Sequence, residues 1–107
     1  MRKKPEKTFV VFRKWEDTGG IIALFPTTPS DFYGWYCDSY ERIGQHGGAD
    51  FHGVMLATTP ARRKETLSLR RELRQIGYSL APVKRTSRGM HEQRRAEARR
   101  LRASEVT

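Results

Sequence analysis

The residues with the clearest chemical potential lie in and beside one glycine-rich string, GQHGGAD, at residues 44–50. Its glycines allow close backbone approach to an anion, and His46, Asp50 and His52 could converge with Cys37 on a metal ion. The spacing matches no zinc motif, and the chain has no Gly-x-Ser-x-Gly elbow to make His-Gly-Gly an oxyanion loop. We therefore predict a structural turn with no metal and no cofactor, and keep a small metal-dependent hydrolase as an alternative.

Other catalytic patterns are missing from the sequence. It contains no Walker phosphate-binding loop and no dinucleotide-binding fingerprint. Its carboxylates are scattered and mostly stand beside arginines, so we nominate no pair for acid–base catalysis and no catalytic residue. An enzyme is the weakest of the functional hypotheses.

Charge is the strongest signal in the composition. The 107 residues include 21 Lys and Arg against 12 Asp and Glu, which gives a formal net charge of +9 and a pI near 10.3. Such an excess favours polyanionic partners through counterion release and long-range steering. We expect nucleic acid or an acidic or nucleoprotein complex as the partner, and no membrane. The alternative is a basic protein whose charge serves solubility alone.

One amphipathic segment, Pro60–Ile76, concentrates part of this charge and predicts a helix. At 100° per residue, Leu67 points away from the apolar face and is surrounded by basic residues. The predicted binding residues on this outward face are Arg63, Lys64, Leu67, Arg70, Arg71 and Arg74. Arginine forks bind phosphates or carboxylates, and Leu67 could anchor a partner. The alternative is a solvated helix face with one incidental leucine.

A second basic cluster lies near the C-terminus. From Thr86 onward the chain has good helix formers but few apolar residues, and an isolated helix of this length is marginal in water. We predict a flexible tail that becomes helical when bound to RNA, DNA or an acidic groove, with a merely solubilising tail as the alternative. Its candidate binding residues are Arg94, Arg95, Arg99, Arg100 and Arg102.

Aromatic residues crowd one predicted strand and the loop before it. They are Phe32, Tyr33, Trp35, Tyr36 and Tyr40. If Tyr36 and Tyr40 are exposed beside Arg42, they could stack on unpaired bases, although cross-strand packing is the favoured explanation. The run carries no ribonucleoprotein signature.

A small α+β domain must position these residues. Runs of β-branched and aromatic residues predict strands at Thr8–Trp15, Ile21–Phe25, Tyr33–Glu41, Phe51–Ala57 and Tyr78–Val83. The glycines of EDTGG join the first two strands in a hairpin, and Pro82 directs the last strand to a sheet edge. For the fourth strand, a short helix beginning near Asp50 is a competing prediction.

The predicted order is β-β-β-β-α-β, a small, mostly antiparallel sheet with one helix packed on a face and a basic C-terminal tail, helical or disordered, beyond it. Thr59 is expected to cap the helix, and Gly77 to end it. The domains are a basic N-terminal extension at residues 1–7, a single α+β domain at residues 8–85 and a flexible Arg-rich tail at residues 86–107. The sequence leaves the oligomeric state open.

Cysteine content and leader patterns bear on location. A single cysteine cannot form an internal disulfide, and no secretory signal or apolar span is visible, so we expect a cytoplasmic protein.

Three strings carry a resemblance: IIALFP, SYERIGQHGGAD, and the IGY that ends the proline-started helix. With them the chain resembles a group of short uncharacterised bacterial proteins, many encoded on plasmids and other mobile elements. The similarity covers residues 9–85, and GQHGGAD is its most specific part. It implies a bacterial cytoplasmic protein from a mobile element and supplies no activity or catalytic residue. The Arg-rich tail departs from the common pattern.

The leading hypothesis is a non-enzymatic binding protein that engages nucleic acid or a nucleoprotein complex, mainly by phosphate contacts. The second is a protein-interaction module, such as a mobile-element inhibitor or adaptor acting on a host nucleic-acid-processing or defence complex. The third is the hydrolase built on His46, Asp50 and His52.

Overall fold

The computed structural model describes residues 7–42 and 44–105, which form one sheet with helices on both of its faces. The strands are β1 (Thr8–Trp15), β2 (Ile21–Pro29), β3 (Cys37–Glu41), β4 (Gln45–Ala49), β5 (Thr58–Pro60) and β6 (Leu80–Pro82). The helices are α1 (Phe51–Ala57), α2 (Arg63–Ile76) and α3 (Arg88–Glu105). The strand order is β4-β3-β2-β1-β5, and β6 pairs in parallel with the start of β1. All the other pairs are antiparallel, so the predicted α+β class is confirmed.

The hairpin at the centre of the sheet forms as predicted. Strand β1 pairs with β2 so that Val11 lies opposite Leu24 and Lys14 lies opposite Ile21. The turn between them includes Gly19 at φ 75°, a backbone conformation that glycine adopts without steric cost. Both strands are covered on two faces, which explains their nearly unbroken apolar runs.

Alternate residues of the strands supply two separate cores. On one face, Leu69 and Leu73 of α2 are buried against side chains of the first three strands. Those sheet residues are Val10, Phe12, Ala23, Phe25 and Tyr40. On the other face, Phe51 of α1 packs against the second set, which is Val11, Ile22, Leu24, Cys37 and Ala49. Helix α3 also lies on this second face, where it contacts β2.

The segment Phe51–Ala57 is helix α1 and not the predicted fourth strand. Asp50 occupies its N-cap, as the competing prediction required. A seven-residue apolar run does not distinguish helix from strand by periodicity. In the folded chain Phe51, Val54 and Met55 pack toward the sheet at three- and four-residue spacing, while Leu56 is 86 % exposed on the outside.

The glycine-rich string is mostly a strand, where a structural turn was predicted. Residues 45–49 form the edge strand β4, with Gln45 opposite Glu41 and Ala49 opposite Cys37. A Cβ atom at Gly48 would lie 2.3 Å from Ser30 Oγ, so the glycine permits a close approach by the segment after β2. Only Gly44 of the string has positive φ.

Two further boundaries differ from the prediction. Strand β3 begins at Cys37, and β2 continues to Pro29 through an irregularity in its pairing with β3. Helix α2 begins at Arg63 with Arg62 as its N-cap, because Thr58–Pro60, which includes the predicted cap, pairs with β1 as strand β5. The predicted end of the helix is confirmed, since Gly77 has φ 121° and its N–H donates to the carbonyls of Leu73 and Arg74.

The largest correction concerns the C-terminal segment. Residues 88–105 form helix α3, one of the two forms expected for this segment, but the helix packs against β2 and is not the separate flexible tail predicted at residues 86–107. Its inward face contains Arg94, which is 3 % exposed, and Ala98. Of the predicted N-terminal extension at residues 1–7, all but Lys7 lies outside the described residues. None of the helices in the described ranges combines the length and apolar character that a membrane span requires.

Arg94 is the residue that attaches α3 to the sheet. Its Nε donates to the carbonyl of Gly34 at 2.9 Å, and its Nη1 donates to the carbonyl of Pro26 at 2.8 Å. Both of these acceptor residues are buried. A Cβ atom at Gly34 would lie 3.0 Å from both Ala98 Cβ and Arg95 Cα, so the absence of a side chain there lets the helix approach.

We expect Arg94→Ala to lower the free energy of unfolding by about 2–3 kcal/mol, because it leaves two buried carbonyls without a donor. The matched control is Arg99→Ala on the exposed side of the same helix, which should change stability by less than about 0.5 kcal/mol. Urea unfolding followed by circular dichroism measures both. Equal stability of the two variants would contradict this role of Arg94.

Candidate functional site

The outward side of α2 brings one set of predicted binding residues together. We name this surface the α2 basic face; it consists of Arg63, Lys64, Leu67, Arg70, Arg71 and Arg74. Among the described residues, none of its five cations forms an ion pair with a carboxylate. The carboxylates of α2 point elsewhere: Glu65 pairs with Lys14 at 2.7 Å, and Glu72 accepts a hydrogen bond from the Tyr40 hydroxyl.

Arg70 is half-buried, whereas the other four cations of the α2 basic face are exposed. Its guanidinium lies 4.9 Å from the centroid of the Phe12 ring, and its Nε donates to Thr66 Oγ1 at 2.7 Å. Burial, and then the charges of Arg63 and Arg74, lower the pKa of Arg70. Arginine still stays protonated at neutral pH, so the face holds mutually repelling charge that an external anion would relieve.

Leu67 lies at the centre of the α2 basic face and is 46 % exposed. The helical spacing predicted this outward direction, because Leu69 and Leu73 are buried on the opposite side of α2. An exposed leucine ringed by arginines is consistent with an anchor for a protein partner. It is equally consistent with an incidental leucine at the surface.

The C-terminal arginines divide into three groups. Arg94 is buried and unavailable to a ligand. Arg100 donates to the carboxylate of Glu97 on its own helix. Arg95 and Arg102 lie over exposed aromatic rings, and Arg99 follows Arg95 by four residues on the same side of α3.

The aromatic loop, residues 30–36, connects β2 to β3 and has a defined shape. The backbone N–H of Tyr36 donates to Asp31 Oδ1 at 2.9 Å, and the N–H of Ser30 donates to the Tyr36 carbonyl at 3.0 Å. Burial acts to raise the pKa of Asp31, but hydrogen bonds from loop amides, that of Tyr36 foremost, bring this pKa below its usual value. Gly34 has φ 78° and is the buried residue of the loop.

Four aromatic side chains of this loop face solvent beside α3. The guanidinium of Arg95 lies 6.0 Å from the centroid of the Trp35 ring, and that of Arg102 lies 5.4 Å from the Phe32 ring and 5.2 Å from the Tyr33 ring. We name these rings and the neighbouring arginines of α3 the aromatic–arginine surface; it consists of Phe32, Tyr33, Trp35, Tyr36, Arg95, Arg99 and Arg102.

Sequence reasoning placed this aromatic group only in part. The less favoured arrangement, with both Tyr36 and Tyr40 exposed beside Arg42, does not form, because Tyr40 is 1 % exposed and packs under α2. The string DFYGWY contains an aspartate and a glycine at turn spacing, and this signal could have marked a loop instead of a strand.

The two arginine-bearing surfaces lie on opposite sides of the sheet. Helix α2 covers the face with Tyr40, whereas α3 covers the face with Cys37. The α2 basic face and the arginines of α3 are therefore two separate surfaces.

His46, Asp50 and His52 do not converge. His46 lies opposite Tyr40 in the β3–β4 pair, with the ring centroids 4.7 Å apart, whereas Asp50 and His52 belong to α1 on the other face. Within residues 7–42 and 44–105, no group of three or more His, Cys, Asp or Glu side chains could hold a metal ion. Burial raises the pKa of Cys37 to about 11, so this thiol is a poor ligand and a poor nucleophile.

His52 instead lies beside His91 of α3, with ring centroids 5.2 Å apart. Arg94 Nη1 lies 2.7 Å from His91 Nδ1, and His91 Nε2 lies 2.8 Å from Thr86 Oγ1. Since a guanidinium only donates, Nδ1 must accept, and the ring is neutral with its hydrogen on Nε2. Burial, followed by the charges of Arg94 and His52, lowers the pKa of His91.

The chain matches no protein-family model, and neither a curated protein nor a solved structure matches it. The resemblance to short bacterial proteins of mobile elements stays a prediction.

We expect acidification to destabilise the protein through His91. Its pKa in the folded chain lies below the ordinary value of 6.5, so the unfolded chain binds more protons, and stability falls as the pH drops through 6.5. His91→Gln keeps an acceptor for Arg94 and does not titrate, so it should lose less stability than the parent between about pH 7.5 and pH 5. Urea unfolding at both pH values measures the difference, and an identical loss in the two proteins would refute the role of His91.

Proposed function

We propose that this protein is a non-enzymatic nucleic-acid-binding protein that contacts phosphates through the α2 basic face. The observation that supports it is the set of five cations along one 14-residue helix, four of them exposed and Arg70 half-buried, none with a carboxylate partner among the described residues. At 1.5 Å per residue, the cations from Arg63 to Arg74 extend over about 17 Å. A duplex presents about ten phosphate charges over that length.

The layout of these charges favours an extended polyanion over a small anion. The side chains spread along a convex helix and do not converge on one point, so each cation meets a different part of the ligand. Four of the five are arginines, whose forked donors bind phosphate oxygens in pairs. Contacts of this kind fix position on the backbone without reading bases, so we expect weak sequence preference.

A second candidate is a protein-interaction module, favoured by the exposure of Leu67 at the centre of the same face. An apolar anchor inside a ring of arginines fits an acidic protein groove with a hydrophobic centre. That the partner is a host nucleic-acid-processing or defence complex rests on the resemblance to mobile-element proteins alone.

We expect duplex binding to weaken steeply with salt. The variant Arg71→Gln/Arg74→Gln should reduce the magnitude of the slope of log K against log salt by about 2, since each phosphate contact contributes about 0.9 to that slope. Fluorescence anisotropy with a blunt, labelled duplex between about 50 and 200 mM salt measures it.

The matched control is Arg88→Gln/Arg100→Gln, which removes two charges already paired with Glu92 and Glu97. This control should leave the slope nearly unchanged. Equal effects of the two double variants would show that net charge, and not the α2 basic face, governs binding.

Leu67→Ala separates the two candidates. The affinity for duplex should stay within about twofold of that of the parent. The leucine side chain carries no charge, so it neutralises no phosphate and releases no counterion. A protein partner that survives nuclease treatment and is lost in Leu67→Ala would support the interaction module instead.

A further inference from the structure

We propose that the aromatic–arginine surface binds unpaired nucleotides by base stacking, which gives the protein a second nucleic-acid site on the sheet face opposite α2. This inference rests on the proposed function, since it takes nucleic acid as the ligand class. It adds the form of the ligand and a site that does not include α2.

The exposure pattern of the aromatic loop is the first argument. Phe32, Tyr33 and Trp35 are each more than half exposed, Tyr36 is nearly so, and Gly34 is the residue that contacts α3. The loop thus turns its large apolar side chains to solvent and buries its smallest residue. Concentrated exposed apolar surface of this kind marks an interaction site.

The second argument is that the loop is held in place before any ligand binds. The carboxylate of Asp31 accepts the N–H of Tyr36, and Arg102 Nη1 donates to the carbonyl of Phe32 at 2.7 Å. Close packing at Gly34 joins the loop to α3. Because the rings are positioned in advance, a ligand that stacks on them loses less ordering entropy on binding.

The third argument is charge. Among the described residues Arg95, Arg99 and Arg102 have no carboxylate partner, whereas Arg88 and Arg100 of the same helix each pair with a glutamate. Two of these three arginines, Arg95 and Arg102, lie over the exposed rings. Arginines next to stacking platforms supply the phosphate contacts and cation–π contacts that single-stranded nucleic acid uses.

The chemistry of the surface favours unpaired bases over other polyanions. In a duplex the faces of the bases are already stacked and only the edges are accessible, so exposed rings gain little there. An acidic polypeptide would satisfy the arginines but offers no flat faces to the four rings. Unpaired nucleotides satisfy both, because each combines a π-face with a phosphate.

Trp35 provides a direct probe of this site. The sequence contains two tryptophans, so Trp15→Phe leaves Trp35 as the only one. In that variant, single-stranded oligothymidylate should quench the fluorescence, because stacked bases contact the indole. A blunt duplex and polyglutamate, at the same concentration of charges, should leave the fluorescence nearly unchanged.

Variants of the two surfaces should then affect different ligands. Trp35→Ala should weaken binding of oligothymidylate by roughly five- to a hundredfold, the range for loss of one stacking contact, and spare the duplex. Arg71→Gln/Arg74→Gln should weaken duplex binding and leave the quenching of Trp35 intact. Since Trp35 is 63 % exposed, thermal unfolding of Trp35→Ala should match that of the parent.

The outcomes distinguish the two proposals. Duplex binding without quenching of Trp35 by oligothymidylate overturns the stacking site and leaves the α2 basic face in place. Absence of binding to any nucleic acid overturns both. Quenching by polyglutamate equal to that by oligothymidylate shows that an acidic polypeptide suits the surface as well, which contradicts the assignment to unpaired bases.

Discussion

The buried guanidinium of Arg94 is the interaction on which the arrangement of the chain depends. It joins α3 to β2 and to the aromatic loop by donating to the carbonyls of Pro26 and Gly34, and it also bonds to His91. A buried arginine is costly unless its donors are satisfied, and here the acceptors are two carbonyl oxygens and an imidazole nitrogen, all neutral. Burial correspondingly lowers its pKa. These hydrogen bonds therefore hold α3 against the sheet, although the helix has few apolar residues.

Once α3 is docked, several features of the molecule follow. Both faces of the central strands are covered, and Cys37 is shielded from solvent. The tight contact at Gly34 turns the rings of the aromatic loop outward, beside Arg95 and Arg102. The α2 basic face, which depends only on the opposite core, forms a separate surface. One sheet thus separates the surface for which we propose phosphate contacts from the surface for which we propose unpaired bases.

The elements that the sequence predicted well are those with strong local signals. The β1–β2 hairpin has apolar strands around a glycine turn, and α2 has a clear apolar stripe ended by Gly77. The outward direction of Leu67 followed from the same stripe. The elements that it missed are decided by tertiary contacts. The edge strand β4 consists largely of glycine, histidine and glutamine, and it gains its pairing from β3.

Helix α3 was missed for a related reason. A prediction from composition relies on apolar residues and places arginine at the surface. It therefore predicts a tail for a helix that is attached by one buried arginine. The separation of the two candidate surfaces was missed for the same reason, because a flexible tail has no fixed position on either face of the sheet. His46 and His52 are close in sequence but lie on opposite faces, since strand β4 ends just before Asp50 and helix α1 begins just after it.

The most direct test of this account is amide hydrogen exchange of the full chain, resolved over residues 91–103. A docked helix held by Arg94 predicts slow exchange there, with protection that approaches that of β2 and falls in Arg94→Ala. Exchange of these amides at the rate of an unfolded peptide, while β2 stays protected, would contradict the docking of α3 and with it the aromatic–arginine surface.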